Sequence, residues 1–128
     1  MTITPLSEDV KQHKEEWISV GRQILAHYKC AESPKEIGDC IDRWKLDRSV
    51  REEEMLDGLG FLFGELMISR HGGTWVWVVD SFGQTPAIQK VPGGSITYAL
   101  DVVSKRLRDS SIAARELPTI VDIYATRD

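Results

Sequence analysis

Apolar residues recur at helical spacing in the first third of the chain, and a capping residue precedes each run. Ser7 precedes the first run and predicts the start of a helix. Ser33-Pro34-Lys35-Glu36 combines a capping-box pattern with proline at the first helical position, which predicts a second helix. The apolar positions are Val10, Trp17, Ile24 and Tyr28 in the first helix, with Val20 or Gly21 between, and Ile37, Cys40, Ile41 and Trp44 in the second.

A third helix, opened by Ser49, is predicted to be the central helix of the fold. Its residues 55–68 are apolar almost all round, which a helix tolerates only when neighbouring elements cover most of it. The small residues Gly60 and Gly64 would let another backbone approach closely. His71-Gly72-Gly73 then predicts the end of this helix.

Two strands are predicted after the central helix. Residues 74–79 are rich in β-branched and aromatic side chains on both faces, as expected of an interior strand. Residues 81–84 form a natural turn, and residues 85–91 can pair back as a second strand. Pro86 has no N–H to donate, so we expect it at a sheet edge or at the start of its strand.

The last third of the chain is predicted to be mainly helical. Ile96, Leu100, Val103 and Leu107 favour a helix over residues 95–109, although its first turn could be a strand. Pro118 could open a final helix, while the β-branched residues 119–121 leave a third strand open. The whole pattern predicts an α+β fold over residues 1–128: N-terminal helices and a central buried helix packed on a short antiparallel sheet, with one or two C-terminal helices.

Composition and length fit one soluble globular domain. The chain has 128 residues, 41% hydrophobic and 28% charged, enough to build a core and unlike a disordered segment. Its first residues lack a basic region followed by an apolar one, and no apolar run approaches the roughly 18 residues of a membrane span. We therefore expect a cytoplasmic protein with no membrane association.

Acidic residues are concentrated in one segment. Residues 32–57 hold nine acids and five bases, so this segment alone carries a net charge of −4, equal to that of the whole chain. Because phosphate backbones attract basic surfaces, the acidic balance argues against direct nucleic-acid binding and favours a basic protein partner. The alternative is a solvated face that keeps the protein soluble.

The cysteine and histidine residues form no metal-binding pattern. Cys30 and Cys40 are the two cysteines, ten positions apart, which indicates neither a zinc site nor a disulfide scaffold. We expect them to be small, reduced and partly buried. The three histidines are scattered along the sequence, so no metal or cofactor is predicted.

The central helix carries the candidate partner-binding residues. Glu65 interrupts an apolar stretch, and a buried carboxylate without a partner is strongly disfavoured. Spacings of three and four place it on one helical stripe with Glu54, Asp57 and Phe61. The alternative is that Phe61 is core and Glu65 pairs internally with an arginine such as Arg106. The predicted site is Glu52, Glu53, Glu54, Asp57, Phe61 and Glu65.

Trp75 and Trp77 project from the same face of the first predicted strand. Two tryptophans on one face could stack a base or a sugar ring, but packing against the central helix explains them more simply. No Ser-His-Asp or Cys-His set can be assembled from spacing, so no catalytic residue is predicted and we do not expect an enzyme.

Several of these motifs together resemble a family of small bacterial domains of unknown function. They are Gly60-x-x-x-Gly64-Glu65 on a helix, Gly73-x-Trp75-Val76-Trp77 on a strand, a turn with Gly83, and Lys105-Arg106 on a following helix. The resemblance covers residues 55–108 and implies an α+β domain without an established activity. In size and acidic charge the chain is also similar to the cytosolic immunity proteins that bacteria keep beside secreted toxins.

These observations favour a non-catalytic protein-binding function. The most concrete form is an immunity protein that neutralises a bacterial toxin, which would be basic, by binding it directly. The rival hypothesis is a small enzyme or ligand-binding domain that uses the cleft between the central helix and the hairpin. A third is a subunit whose exposed hairpin edge adds to the sheet of a partner.

Overall fold

The structure, a computed structural model, describes residues 1–109 and 113–127 and confirms the predicted α+β fold. The N-terminal half is mainly helical, and the sheet is antiparallel. In chain order the elements are β1 (Thr2–Pro5), α1 (Glu8–His27), α2 (Pro34–Asp47), α3 (Glu52–His71), β2 (Thr74–Asp80), β3 (Gly83–Gln89), β4 (Ile96–Thr97), α4 (Ala99–Arg108), a 3-10 turn (Ala114–Glu116) and α5 (Leu117–Ala125).

The first two helices begin where their caps predict. The hydroxyl of Ser7 accepts a hydrogen bond from the backbone N–H of Val10, and that of Ser33 accepts one from the N–H of Glu36, both at 3.2 Å. Each bond satisfies a backbone donor that has no partner within the first helical turn. Pro34 is the first residue of α2, where its missing N–H is not needed.

The start of α3 corrects the prediction. The helix begins at Glu52 after Arg51, whose side chain makes no capping hydrogen bond within the described residues. Ser49, the predicted opening residue, instead donates to Asp47, which also accepts a hydrogen bond of 2.7 Å from the hydroxyl of Tyr28. Ser49 therefore helps to join α1 to the end of α2 rather than capping α3.

The central position of α3 is confirmed. Nine of its residues are buried, and α1 and α4 pack along it. α1 crosses it where Gly21 meets Gly58, and Gly60 faces the backbone of Leu100 in α4. The predicted close approach at Gly60 is therefore found. At Gly64 the close neighbour is the indole ring of Trp75 rather than a backbone.

The sheet has four strands in the order β1-β2-β3-β4, one more than the largest sheet predicted. β1 pairs with β2, which makes β2 an interior strand as expected. β4 pairs with Ile88 and Gln89, so Pro86 lies beyond the end of β4, on an edge as predicted. Ile96 and Thr97 form β4, so the first turn of the predicted 95–109 helix is a strand. Leu117–Ala125 is a helix, which excludes the alternative third strand there.

The two faces of the sheet bury different clusters. Trp75 and its cross-strand neighbour Ile88 belong to the main core with α3. Val76, Val78 and Ala87 form a smaller cluster on the opposite face. The sheet is thus packed on α3 through one face, while the other has its own small apolar cluster.

Candidate functional site

The first turn of α3 presents three consecutive carboxylates at the surface. Glu53 is 79% exposed, and Glu52 and Glu54 are about half as exposed. Arg51 lies 3.2 Å from Glu53 and 3.7 Å from Glu54, while Arg108 of α4 lies 3.3 Å from Glu52. Acidic residues in a first turn are favoured by the positive end of the helix dipole, which accounts for their position in α3.

Asp57 lies one turn further along α3 and is half-buried. Burial, and then the negative charge of Glu53, raise the pKa of its carboxyl above the ordinary value. Asp57 is therefore a poorly solvated carboxylate beside an exposed one, and a nearby positive charge would stabilise its ionised form.

Phe61 and Glu65 lie in a packed cluster rather than on an open surface. Phe61 is 6% exposed, and its ring centroid is 5.3 Å from that of Trp75. The indole N–H of Trp75 donates a 3.0 Å hydrogen bond to a carboxylate oxygen of Glu65, and the Lys14 ammonium lies 3.9 Å from the same oxygen. The observed contacts therefore agree with the alternative interpretation, in which Phe61 is core and Glu65 pairs internally.

The prediction that Arg106 pairs with Glu65 is wrong. The guanidinium of Arg106 donates to the carbonyl of Val102 at 3.1 Å and lies 3.8 Å from Glu116. Lys14 takes that place instead. A signal for Lys14 was present in the sequence, because position 14 falls between the apolar positions 10 and 17 on the packing side of α1.

Five of the six predicted residues therefore divide into two groups. The exposed Glu53 and the partly exposed Glu52 and Glu54 form a group at the start of α3, which we call the α3 acidic turn. Phe61 and Glu65 belong to the cluster around Trp75, and Asp57 lies between the two groups.

A cleft lies between α1, α3 and the first strand of the hairpin, β2. It has a volume of about 300 Å³, and Lys14, Glu65 and Trp75 line it. A second cleft of about 480 Å³ shares Trp75 and Lys11 with it and extends along β1. Both clefts open to solvent and include the ring of Trp75; the first is lined by charged groups of both signs, and the second by the positive charge of Lys11.

Two other aromatic residues of the hairpin, Trp77 and Phe82, have surroundings different from those of Trp75. Trp77 is partly exposed and donates a 3.1 Å hydrogen bond to the side chain of Gln84. Phe82, at the hairpin turn, is 98% exposed. Sequence reasoning missed Phe82, although an aromatic residue inside a predicted turn has few neighbours to cover it.

Over residues 1–109 and 113–127, no three His, Cys, Asp or Glu side chains are grouped so that they could hold a metal ion. Among the helices of this described part, none combines the length and apolar character needed to cross a bilayer.

The architecture defines the class of the protein as an α+β domain built on one central helix. The chain belongs to the family described as Domain of unknown function (DUF3806), whose profile matches residues 36–115. This range contains the 55–108 segment on which the resemblance was based, together with the α3 acidic turn. Comparisons with curated proteins and with solved structures give no significant match.

Proposed function

We propose that this domain is a non-catalytic protein-binding module that receives a basic partner on the α3 acidic turn. In its most concrete form it is a cytoplasmic immunity protein that neutralises a bacterial toxin by direct binding. The observation that carries the proposal is that the first turn of α3 holds three carboxylates, of which Glu53 is largely exposed and Glu52 and Glu54 are partly exposed.

The ion pairs of the α3 acidic turn leave its carboxylates available. Arg51 and Arg108 are 73% and 60% exposed, so both arginines and their partners lie in a high-dielectric environment. Such surface pairs contribute only about 0.2–1 kcal/mol each. Lysine or arginine side chains of a partner could therefore replace them at little cost in stability.

Asp57 adds to the attraction of a basic partner. Its raised pKa reflects burial and then the negative charge of Glu53, and no basic group among residues 1–109 and 113–127 offsets them. A positive group brought beside it would recover that energy, whereas a carboxylate already paired would gain less. The mechanism of neutralisation would be steric coverage of the toxin's active site, with the acidic turn mainly raising the association rate.

A comparative pull-down tests this proposal. Wild-type protein, the double variant Glu53→Lys/Glu54→Lys and the control Glu16→Lys serve as tagged baits in a lysate of the source organism. Glu16 is exposed on α1, so the control changes charge away from the acidic turn. We expect a stoichiometric basic protein with wild-type and control baits and its loss with the double variant. Equal recovery by all three baits would contradict the assignment of the surface.

Stability must be measured alongside binding. Lysine in the first turn of a helix opposes the helix dipole, which costs about 0.3–1 kcal/mol for each substitution. Glu53→Gln/Glu54→Gln removes the negative charges with a smaller effect of this kind. Loss of binding by this neutral variant, with an unfolding transition close to that of the wild type, assigns the loss to the surface charge.

The cleft between α3 and β2 supports a second candidate function, the binding of a small anionic ligand. Lys11 and Lys14 line it beside the indole ring of Trp75. A ligand present at 100 times its dissociation constant would stabilise the fold by about 2.7 kcal/mol. A thermal-shift screen with small carboxylates and phosphates tests this, and Lys11→Gln, an exposed substitution, should remove the shift. No shift with any anion would contradict this candidate.

A further inference from the structure

A cavity of about 200 Å³ lies where β4, α4 and α5 meet. It shares no residue with the α3 acidic turn or with the cleft beside Trp75. Its wall is mainly apolar and is formed by Ile96, Tyr98, Val102, Ile120, Ile123 and Tyr124. An apolar cavity of about 150 Å³ holds one molecule of benzene. The present cavity therefore has room for a branched or aromatic group together with a small polar head.

Hydrogen bonds hold the end of α5 against its neighbours at this cavity. The hydroxyl of Tyr124 donates a 2.6 Å hydrogen bond to the carbonyl of Gly72, just after α3. The guanidinium of Arg127 donates to the carbonyl of Ile96 in β4 at 3.4 Å. The wall is thus fixed on two sides, and a preformed wall lowers the cost of ordering that binding a small molecule would otherwise carry.

Thr97 brings a hydrogen-bonding group without a partner to the cavity. The residue lines the cavity and is 8% exposed. Its hydroxyl oxygen makes no hydrogen bond to any residue in the ranges 1–109 and 113–127. A buried hydroxyl without a partner is unfavourable, and rotation about one side-chain bond is enough to direct it to a bound molecule. A ligand with a polar head would therefore supply the missing hydrogen bond.

Two side chains of opposite charge also line the cavity, Asp101 from the first turn of α4 and Arg127 from the end of α5. Asp101 pairs with Lys105 at 3.1 Å, but both side chains are more than half exposed, so a ligand can replace this weak pair. The guanidinium of Arg127 has a carbonyl, rather than a carboxylate, as its partner in the described part of the chain. The cavity thus offers one positive and one negative group to a ligand.

The start of α4 adds further donors. The helix begins at Ala99 after Tyr98, whose side chain makes no capping hydrogen bond within the described residues. The N–H groups of a first helical turn have no partner within the helix and favour a carboxylate. Tyr98 and Asp101 place this turn at the cavity.

We propose that the cavity binds a free α-amino acid with an apolar side chain, such as leucine or phenylalanine. Arg127, Thr97 and the first turn of α4 bind its carboxylate, and Asp101 binds its ammonium group. The apolar wall receives its side chain. A ligand with a single charge would leave one of the two charged groups unmatched. This site does not depend on the proposed function.

An NMR titration of the purified protein with L-phenylalanine tests the proposal. Saturable shifts of backbone amides should be confined to β4, α4 and α5. Phenylpropionate lacks the ammonium group of phenylalanine, and phenethylamine lacks its carboxylate. Each should bind at least about tenfold more weakly than phenylalanine, because each loses a hydrogen bond that involves a charged group.

Two variants assign the contacts. Thr97→Val removes the hydroxyl and should weaken phenylalanine binding about tenfold. It should also raise the unfolding temperature of the ligand-free protein, because a buried group without a partner is removed. Arg127→Gln should weaken binding of phenylalanine and phenylpropionate but not of phenethylamine. The control Arg115→Gln makes the same change at an exposed position outside the cavity and should bind as the wild type does.

Four results would overturn the proposal. The first is that no amide shows a saturable shift with phenylalanine or leucine, and the second is that the shifts lie outside β4, α4 and α5. The third is that phenylpropionate or phenethylamine binds as tightly as phenylalanine, which would contradict recognition of both charges. The fourth is that Thr97→Val binds phenylalanine unchanged and unfolds at a lower temperature than the wild type, which would show that the hydroxyl serves the fold and not a ligand.

Discussion

The substitution Gly21→Ala tests the close crossing of α1 and α3 on which the position of the central helix depends. A Cβ atom at position 21 would lie 2.3 Å from the carbonyl oxygen of Gly58 and 2.9 Å from its carbonyl carbon. Both neighbours are backbone atoms of α3, so no side-chain rotation can relieve the contact.

The magnitude follows from how far the helices must move. An ordinary contact begins at 3.4 Å, so α1 and α3 would have to separate locally by about 1 Å. Overpacking of a core costs about 1–3 kcal/mol, and a rigid backbone neighbour places this site at the upper end. Alanine recovers about 1 kcal/mol of helix propensity relative to glycine. We expect a net loss of about 2 kcal/mol, or roughly 8 °C in Tm.

Urea and thermal denaturation followed by circular dichroism measure this loss. Ser19→Ala is the matched control, because Ser19 is exposed on the same helix and its replacement changes helix propensity without a close contact. It should be neutral or slightly stabilising. If Gly21→Ala were as stable as wild type, the helices could not cross as closely as described.

Two further substitutions test single contacts. Asp57→Asn should stabilise the protein at neutral pH, because the raised folded pKa of Asp57 means that its ionised form lowers stability there. The gain should shrink as the pH falls through that raised pKa and vanish below the ordinary value. Denaturation over a pH series measures it, and a gain independent of pH would contradict the raised pKa as its cause. Tyr124→Phe removes a 2.6 Å hydrogen bond from the hydroxyl of Tyr124 to the carbonyl of Gly72 and should cost about 1 kcal/mol in chemical denaturation; an unchanged unfolding midpoint would refute this.

The helices could be predicted because their signals are local. The caps at Ser7 and Ser33, the glycine stop after His71 and the apolar periodicity each act within a few residues. The start of α3 was misplaced because the hydroxyl of Ser49 hydrogen-bonds another side chain instead of capping the helix. Asp47 accepts from Ser49 two residues away, and both side chains also hydrogen-bond the hydroxyl of Tyr28 at the end of α1.

The strands β1 and β4 depend on partners distant in sequence. Thr2–Pro5 is four residues long and becomes a strand because β2 provides its hydrogen-bond partners. Ile96 also fits the helical spacing of α4, so periodicity extended the helix over β4. Pairing across the sheet determines both strands, and the local sequence pattern carries no information about that pairing.

The sequence could predict the charge of the candidate site but not which of its residues are buried. Consecutive glutamates at a helix start are exposed for local reasons, and Glu52, Glu53 and Glu54 are found so. Helical spacing put Phe61 and Glu65 on the same stripe, yet it could not show that Trp75 covers that part of α3. The position of β2, which follows the glycine turn after α3, determines which part of the helical stripe remains exposed to solvent.

The most direct test of the proposed function is titration calorimetry of the purified domain with its captured basic partner. Wild type and Glu53→Gln/Glu54→Gln would be compared at low and high salt. The account predicts stoichiometric binding that weakens with salt, and a clear loss of affinity in the variant with a smaller dependence on salt. Unchanged affinity and the same salt dependence in the variant would contradict binding through the α3 acidic turn.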